Sequence, residues 1–286
     1  VVLGWLSHVI RAWRWGYLLE PMGYKPGFWN RYHAVMIGYF MNLLVQRVGE
    51  ASRAVSIYRT DAVPFEKGFG TILAERVIDT LILLLIVAVT VALQYDKLGL
   101  IQARIAEFRS GQGESDGGLT WWVIALFAVV AIVIAAGAYL LITRPALRAR
   151  LMDAVRGFGE GFRSVLSTPH RGLFLLHSLL IWLLYVGMFA VGFLCLPATS
   201  DVPMAGVFAG FIAGSVGIIL VQGGIGVYPA FVAVIVSVYM PSTAGDGGLH
   251  PEALALGWLL WAVQTIMLVV LGGLSLLLAR RAKPLS

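Results

Sequence analysis

The sequence predicts an all-α polytopic membrane protein, a transmembrane helix bundle in which two broken, re-entrant hairpins form an inverted repeat. Composition, run length and charge placement lead to that class. The chain is 59% hydrophobic and 13% charged over 286 residues, whereas soluble domains carry about 25% charged residues. Mean hydropathy is +0.85. The basic residues that set the net charge of +6 cluster in connections, which is the positive-inside signature of membrane topology and not a nucleic-acid footprint.

A spanning helix needs about 20 mostly apolar residues. Residues 68–93, 119–143, 173–196 and 252–279 meet that length. Residues 1–19 read as the end of another helix, with Arg11, Trp13, Arg14 and Trp15 near a membrane interface. The chain opens on Val1 inside an apolar run, so a preceding piece of helix is expected. Residues 32–46 are too short to cross, and 204–240 are interrupted by glycines and a proline at 223–229.

Arginines between 144 and 171, and the tail at Arg280, Arg281 and Lys283, place both segments in the cytoplasm. Residues 241–251 carry no Lys or Arg and belong outside. Threading from these loops puts 94–118 outside and 47–67 inside. Segment 204–240 must then enter and leave from outside, and segment 32–60 must enter and leave from the cytoplasm. Each is expected to be a re-entrant hairpin, the two pointing at each other. Residues 145–167 have helical apolar spacing with arginines between. That pattern suits an amphipathic helix lying either on anionic lipid or on the protein's own loops. The whole chain, 1–286, is read as one domain, with a first repeat over about 1–118 and a second over about 173–279.

The repeat is also visible in residues. Leu44-Val45-Gln46 matches Leu220-Val221-Gln222, Gly38 matches Gly214, and Ala54 matches Ala230 at the same offset. Inverted repeats with broken helices are common in secondary transporters, whose substrate sites lie near the bilayer midplane. Gly223, Gly224 and Gly226 permit a tight turn and close approach of backbone to a ligand.

Charges inside an apolar span mark the candidate site. Glu75, Arg76 and Asp79 lie within 68–93, and Asp79 falls roughly 16 Å along that helix at ~1.5 Å per residue. Each buried charge costs about 2.5–3.5 kcal/mol on insertion scales. A network of Glu50, Arg53, Glu75, Arg76 and Asp79 is expected, with Arg53 reaching Glu75 and Asp79. It serves either to bind a charged headgroup, to relay a proton, or to lock the hairpin to the helix. Arg47 has no obvious neutralising neighbour in sequence, and an arginine fork suits phosphate. His33 and His177 read as structural, and Cys195, the single cysteine, reads as a small apolar residue in a span. There is no His-Glu-x-x-His zinc pattern and no nucleophile elbow, so neither metal, cofactor nor enzyme activity is expected. The tryptophans at 13, 15, 29, 121, 122, 258 and 261 mostly suit interface anchoring.

"GYFMNLLVQRVGEASRA", then "GTILAERVIDT", then "QGGIGVYPA", with the early "RAWRW", resemble the lysylphosphatidylglycerol synthase transmembrane-region family, also called flippase-like domain proteins. The resemblance covers nearly the whole chain. It implies an all-helical membrane protein with re-entrant elements that moves a lipid between leaflets, often an anionic or aminoacylated one. It assigns motif positions to Asn42, Gly49, Glu50 and Arg53, to Glu75, Arg76 and Asp79, and to Gly223, Gly224 and Gly226. The family usually has proline where this chain has Gln46 and Gln222. In the larger lipid-aminoacylating members a separate soluble domain does the synthesis; no such domain is expected in these 286 residues, so "synthase" is not expected to carry over.

The expected function is therefore translocation of a lipid, an anionic phospholipid or lipid-linked headgroup, across a bacterial inner membrane, with the C-terminus cytoplasmic. Arg47, Arg53, Asn42, Gln46, Gln222, Gly223, Gly224 and Gly226 would contact the headgroup. Glu50, Glu75, Arg76 and Asp79 would balance charge or couple protons. The expected partners are membrane lipids, with room for a separate lipid-modifying enzyme and none for nucleic acid. A secondary transporter of a small solute or ion is the alternative. A membrane enzyme would need a nucleophile or metal cluster, and a scaffold would bury the charges and lack a cavity.

Overall fold

The computed structural model describes residues 1–45, 47–93, 156, 159–160, 163–165, 167–240 and 249–279. The span expected at 119–143, the loop 94–118, the basic tail from 280 and Gln46 lie outside the described residues, as do most of 145–167 and 241–251. Among the described residues every regular element is helical. In chain order these are α1 (Val2–Leu19), α2 (Phe28–Leu44), α3 (Val48–Asp61), α4 (Phe65–Leu93), α5 (Arg171–Phe193), α6 (Met204–Leu220), α7 (Val227–Ser237) and α8 (Pro251–Leu278).

Helices α5 and α8, of 23 and 28 residues, are long and apolar enough to cross a bilayer. They match the spans read at 173–196 and 252–279. Helix α4 runs for 29 residues and carries the predicted charges in its first half. Cys195 is exposed in the turn after α5, because that helix stops at Phe193, earlier than the sequence suggests. Helices α2 and α6 have 17 residues each. At ~1.5 Å per residue they reach about 26 Å, short of a ~30 Å hydrocarbon core.

The sequence repeat falls on repeated backbone. Phe28 and Met204 open α2 and α6, Leu44 and Leu220 close them, and Asp61 and Ser237 close α3 and α7. All three pairs share one offset along the chain. Each first helix leaves through an extended valine, Val45 (φ −141°, ψ 124°) and Val221 (φ −124°, ψ 137°). A left-handed residue follows two positions later, Arg47 (φ 64°, ψ 4°) and Gly223 (φ 63°, ψ 1°). Glycine adopts that conformation freely, whereas an L side chain there costs roughly 1–2 kcal/mol. Arg47 is thus held in a strained turn, a kind of strain that clusters at functional sites.

The halves also pack alike. Helix α2 packs on α3 and α3 on α4, while α6 packs on α7 and α7 on α8. They interlock by exchange: α8 lies along α2, α4 touches α6, and α1 packs on α5. The first hairpin closes tightly because its helices meet at two glycines. A Cβ on Gly49 would collide with the Gly38 carbonyl oxygen and the Asn42 side chain. Asn42 Oδ1 uses that proximity to accept the Gly49 N–H at 2.7 Å.

The distribution of polarity is inside-out relative to a soluble domain. Arg11 and Arg14 are among the largest fully buried side chains, while Leu81, Leu84 and Leu85 on α4 and Leu175, Leu176 and Leu183 on α5 are exposed. Exposed apolar surface on this scale needs lipid or protein against it, and ionisable groups at membrane depth face the bundle interior.

Candidate functional site

The charged residues divide into a buried lock and a cavity rim. In the lock, Asp79 accepts from Arg14 Nη1 at 2.6 Å and from Arg11 Nη1 at 2.7 Å, with Arg14 Nη2 at 3.2 Å. Arg14 also donates to Ser178 Oγ on α5 at 2.9 Å. Arg53 Nη1 donates to Glu75 Oε2 at 2.7 Å, and Arg14 Nε lies 3.5 Å from Glu75 Oε1. The Arg53 guanidinium sits 3.9 Å from the Trp15 ring centre, a cation–π contact. Trp15 is fixed in turn by donating to Thr71 Oγ1 at 2.8 Å. Arg11, Arg14, Arg53, Glu75 and Asp79 are all buried, so the lock ties α1, α3, α4 and α5 together away from solvent.

Two sequence expectations are corrected here. Arg53 pairs with Glu75, whereas Asp79 is taken by Arg11 and Arg14. Arg11, Arg14 and Trp15 are core residues and not interface anchors. The signal was present: α1 continues past Arg14 to Leu19, and two arginines three apart share one helix face. His8, buried against Tyr39 with ring centres 4.5 Å apart, also went unread. So did Tyr185, whose hydroxyl accepts from Arg11 at 3.2 Å.

The rim is different. Arg76 does not pair with Asp79 along its own helix; its Nε lies 3.3 Å from Glu50 Oε1, with side chains 39% and 20% exposed. Both residues line a cavity of about 320 Å³, together with Arg47, Asn42 and Tyr39 on one side and Ile218, Ile219 and Gly223 on the other. Helix α8 completes the wall with Trp261, Gln264 and Thr265. Arg47 has no carboxylate partner among the described residues. Arg53 does not line this cavity, and its burial removes it from direct reach of a ligand there.

The two hairpin turns meet at this cavity. Gln222 Nε2 donates to the Leu43 carbonyl at 3.1 Å and also to the Leu44 carbonyl, two of the last carbonyls of α2, which a helix end leaves unsatisfied. Trp261 Nε1 donates to the Gly223 carbonyl at 2.7 Å. Gln222 therefore clasps one turn to the other, and of the second-turn residues read as headgroup contacts, only Gly223 lines the cavity. Gly224 and Gly226, with φ of 67° and 74°, shape the turn beside it. Trp261 is a cavity residue and not an interface anchor. His33 and His177 are satisfied structurally, by Ser275 Oγ at 3.0 Å and the Leu173 carbonyl at 2.7 Å.

An all-helical bundle with buried charges, an apolar exterior and a cationic cavity defines an α-helical membrane protein. The chain belongs to the lysylphosphatidylglycerol synthase TM region family, which matches residues 1–273. It is also similar to a UPF0104 membrane protein of Methanocaldococcus jannaschii, with 34% identity over 86 residues, covering 29% of this chain and 26% of that relative. The stretch in common is thus a minor part of either protein. No solved structure matches.

Proposed function

We propose that this protein passes a lipid headgroup between the leaflets of a bacterial inner membrane, the headgroup moving through the cavity between two opposed re-entrant hairpins. The observation that carries the reading is the composition of that cavity's wall. Arg47 and Arg76 line it from one side. Ile218 and Ile219 line it from the other and are exposed, as are Leu44, Val45 and Leu220 in and next to the two turns. Cation and exposed apolar side chains thus meet at one place, which suits a molecule with an anionic head and acyl chains that stay in the bilayer. Arginine is the side chain suited to bidentate phosphate recognition.

The matched turns, equal helix boundaries and exchanged packing support an inverted repeat with its breaks at the substrate site. Non-helical backbone at membrane depth is tolerated where protein covers it or a wet cavity adjoins it. Gln222 supplies part of that cover by satisfying carbonyls of the facing turn. The C-terminus is placed in the cytoplasm, following the basic residues beyond 279.

The test is leaflet exchange of headgroup-labelled phospholipids in liposomes containing the full chain, against Arg47→Gln and Arg76→Gln. Exchange in wild type that falls about tenfold in either variant supports the reading. Absence of exchange for every anionic phospholipid, with flux of a small inorganic anion instead, would replace it with the solute-transporter reading.

A further inference from the structure

We infer that Glu50 sets the ionic form of headgroup the cavity accepts, admitting a phosphodiester and disfavouring a phosphomonoester; this rests on the reading of the cavity as an anion site. Arg47 and Arg76 bring two positive charges to the wall, and Glu50 is the acid among the described lining residues. Glu75 and Asp79 are spent inside the lock on Arg53, Arg14 and Arg11. The remaining polar lining, from Asn42, Gln264 and Thr265 among others, is neutral.

Glu50 touches Arg76 through one oxygen at the Nε edge, at 3.3 Å. Its second oxygen, Oε2, is buried and has no hydrogen-bond partner among the described residues. The contact is an ion pair whose shortest approach is at Nε, and the Arg76 side chain donates no hydrogen bond among the described residues, so its donors remain for a ligand. With Glu50 in place the wall carries a net charge of one. A phosphodiester supplies one negative charge, whereas a phosphomonoester at neutral pH carries about 1.5 to 2. The extra charge would sit beside a carboxylate in a protein-lined cavity, where like charges repel more strongly than in bulk water. Glu50 thus acts as a resident anion that cancels half of the cationic wall.

The experiment measures binding of a phosphodiester lipid, phosphatidylglycerol, and a phosphomonoester lipid, phosphatidic acid, to the purified full chain at neutral pH by native mass spectrometry. The uncharged control is diacylglycerol. Wild type is expected to favour the diester. Glu50→Gln should shift the ratio toward the monoester by about tenfold, while Glu50→Asp, which keeps the charge, should retain the wild-type ratio. Arg47→Gln should weaken the monoester more than the diester, and it keeps the test open if Glu50→Gln does not fold. Binding of both lipids with an unchanged ratio in Glu50→Gln, or in Arg47→Gln where only that variant folds, would overturn the role of Glu50 and leave the headgroup site standing. Binding of neither lipid above the diacylglycerol control would overturn both readings together.

Discussion

Arg14 grips Asp79 as a fork, with Nη1 at 2.6 Å from Oδ1 and Nη2 at 3.2 Å from Oδ2. Both residues are buried. The pair joins α1 to α4 across the bundle, while Arg53 and Glu75 join the first hairpin to the same helix.

Removing the carboxylate charge strands two arginines. Breaking a buried ion pair from one side costs about 3–5 kcal/mol, because the partner is left uncompensated. Asp79→Asn is therefore expected to lower the thermal midpoint of the purified protein sharply. Asp79→Asn combined with Arg11→Leu should recover part of that loss. A midpoint unchanged in Asp79→Asn would show that the lock does not hold the bundle together.

The first hairpin depends on glycine contact. Gly49→Ala places a methyl against the Gly38 carbonyl oxygen, and backbone cannot swing aside as a side chain can. Overpacking of this kind typically costs about 1–3 kcal/mol. The variant should unfold at lower temperature than Gly172→Ala, where no atom lies within 4 Å of the added Cβ. Equal midpoints would contradict the close approach of α2 and α3.

The clasp between turns can be frozen. Leu44→Cys with Gln222→Cys, in a Cys195→Ser background because the native thiol is exposed, allows the two turns to be joined by a short bifunctional maleimide. Cross-linking is expected to reduce lipid exchange at least about tenfold relative to the untreated double variant. Exchange that survives complete cross-linking would show that the turns need not part.

Trp261→Phe keeps an aromatic six-membered ring but deletes the pyrrole portion, with the Nε1–H that reaches the Gly223 carbonyl at 2.7 Å. A lost hydrogen bond of this type costs about 1 kcal/mol. The expected result is a small fall in stability with a larger change in lipid exchange, since Gly223 lines the cavity. Both quantities unchanged would remove Trp261 from the site.

Arg47 and Arg53 show how far the sequence reads. Both sit in one apolar-flanked run, and Arg47 was legible as a candidate contact even with Glu50 three residues on. That Arg53 is buried under Trp15 while Arg47 faces a cavity depends on helix rotation after a left-handed turn, and sequence spacing does not fix that rotation. Arg11 and Arg14 were placed at an interface for the same reason. Their partner Asp79 is more than sixty positions away in sequence, and no local periodicity reports a contact of that range.

What the sequence by itself determined is the class of protein, the apolar spans at 173–196 and 252–279, the two interrupted segments and the repeated residues within them. Hydrophobic run length, glycine placement and self-similarity are properties of a chain read along its length. Only the tertiary structure decided how the charges divide. It buried Arg11, Arg14, Arg53, Glu75 and Asp79 as a lock and left Arg47, Arg76 and Glu50 on the cavity. It also turned Gln222 from a presumed headgroup contact into the clasp between two turns. The reason is geometric: a charge is neutralised by whatever helix packs against it, and that neighbour is chosen by the fold and not by the residues beside it in sequence.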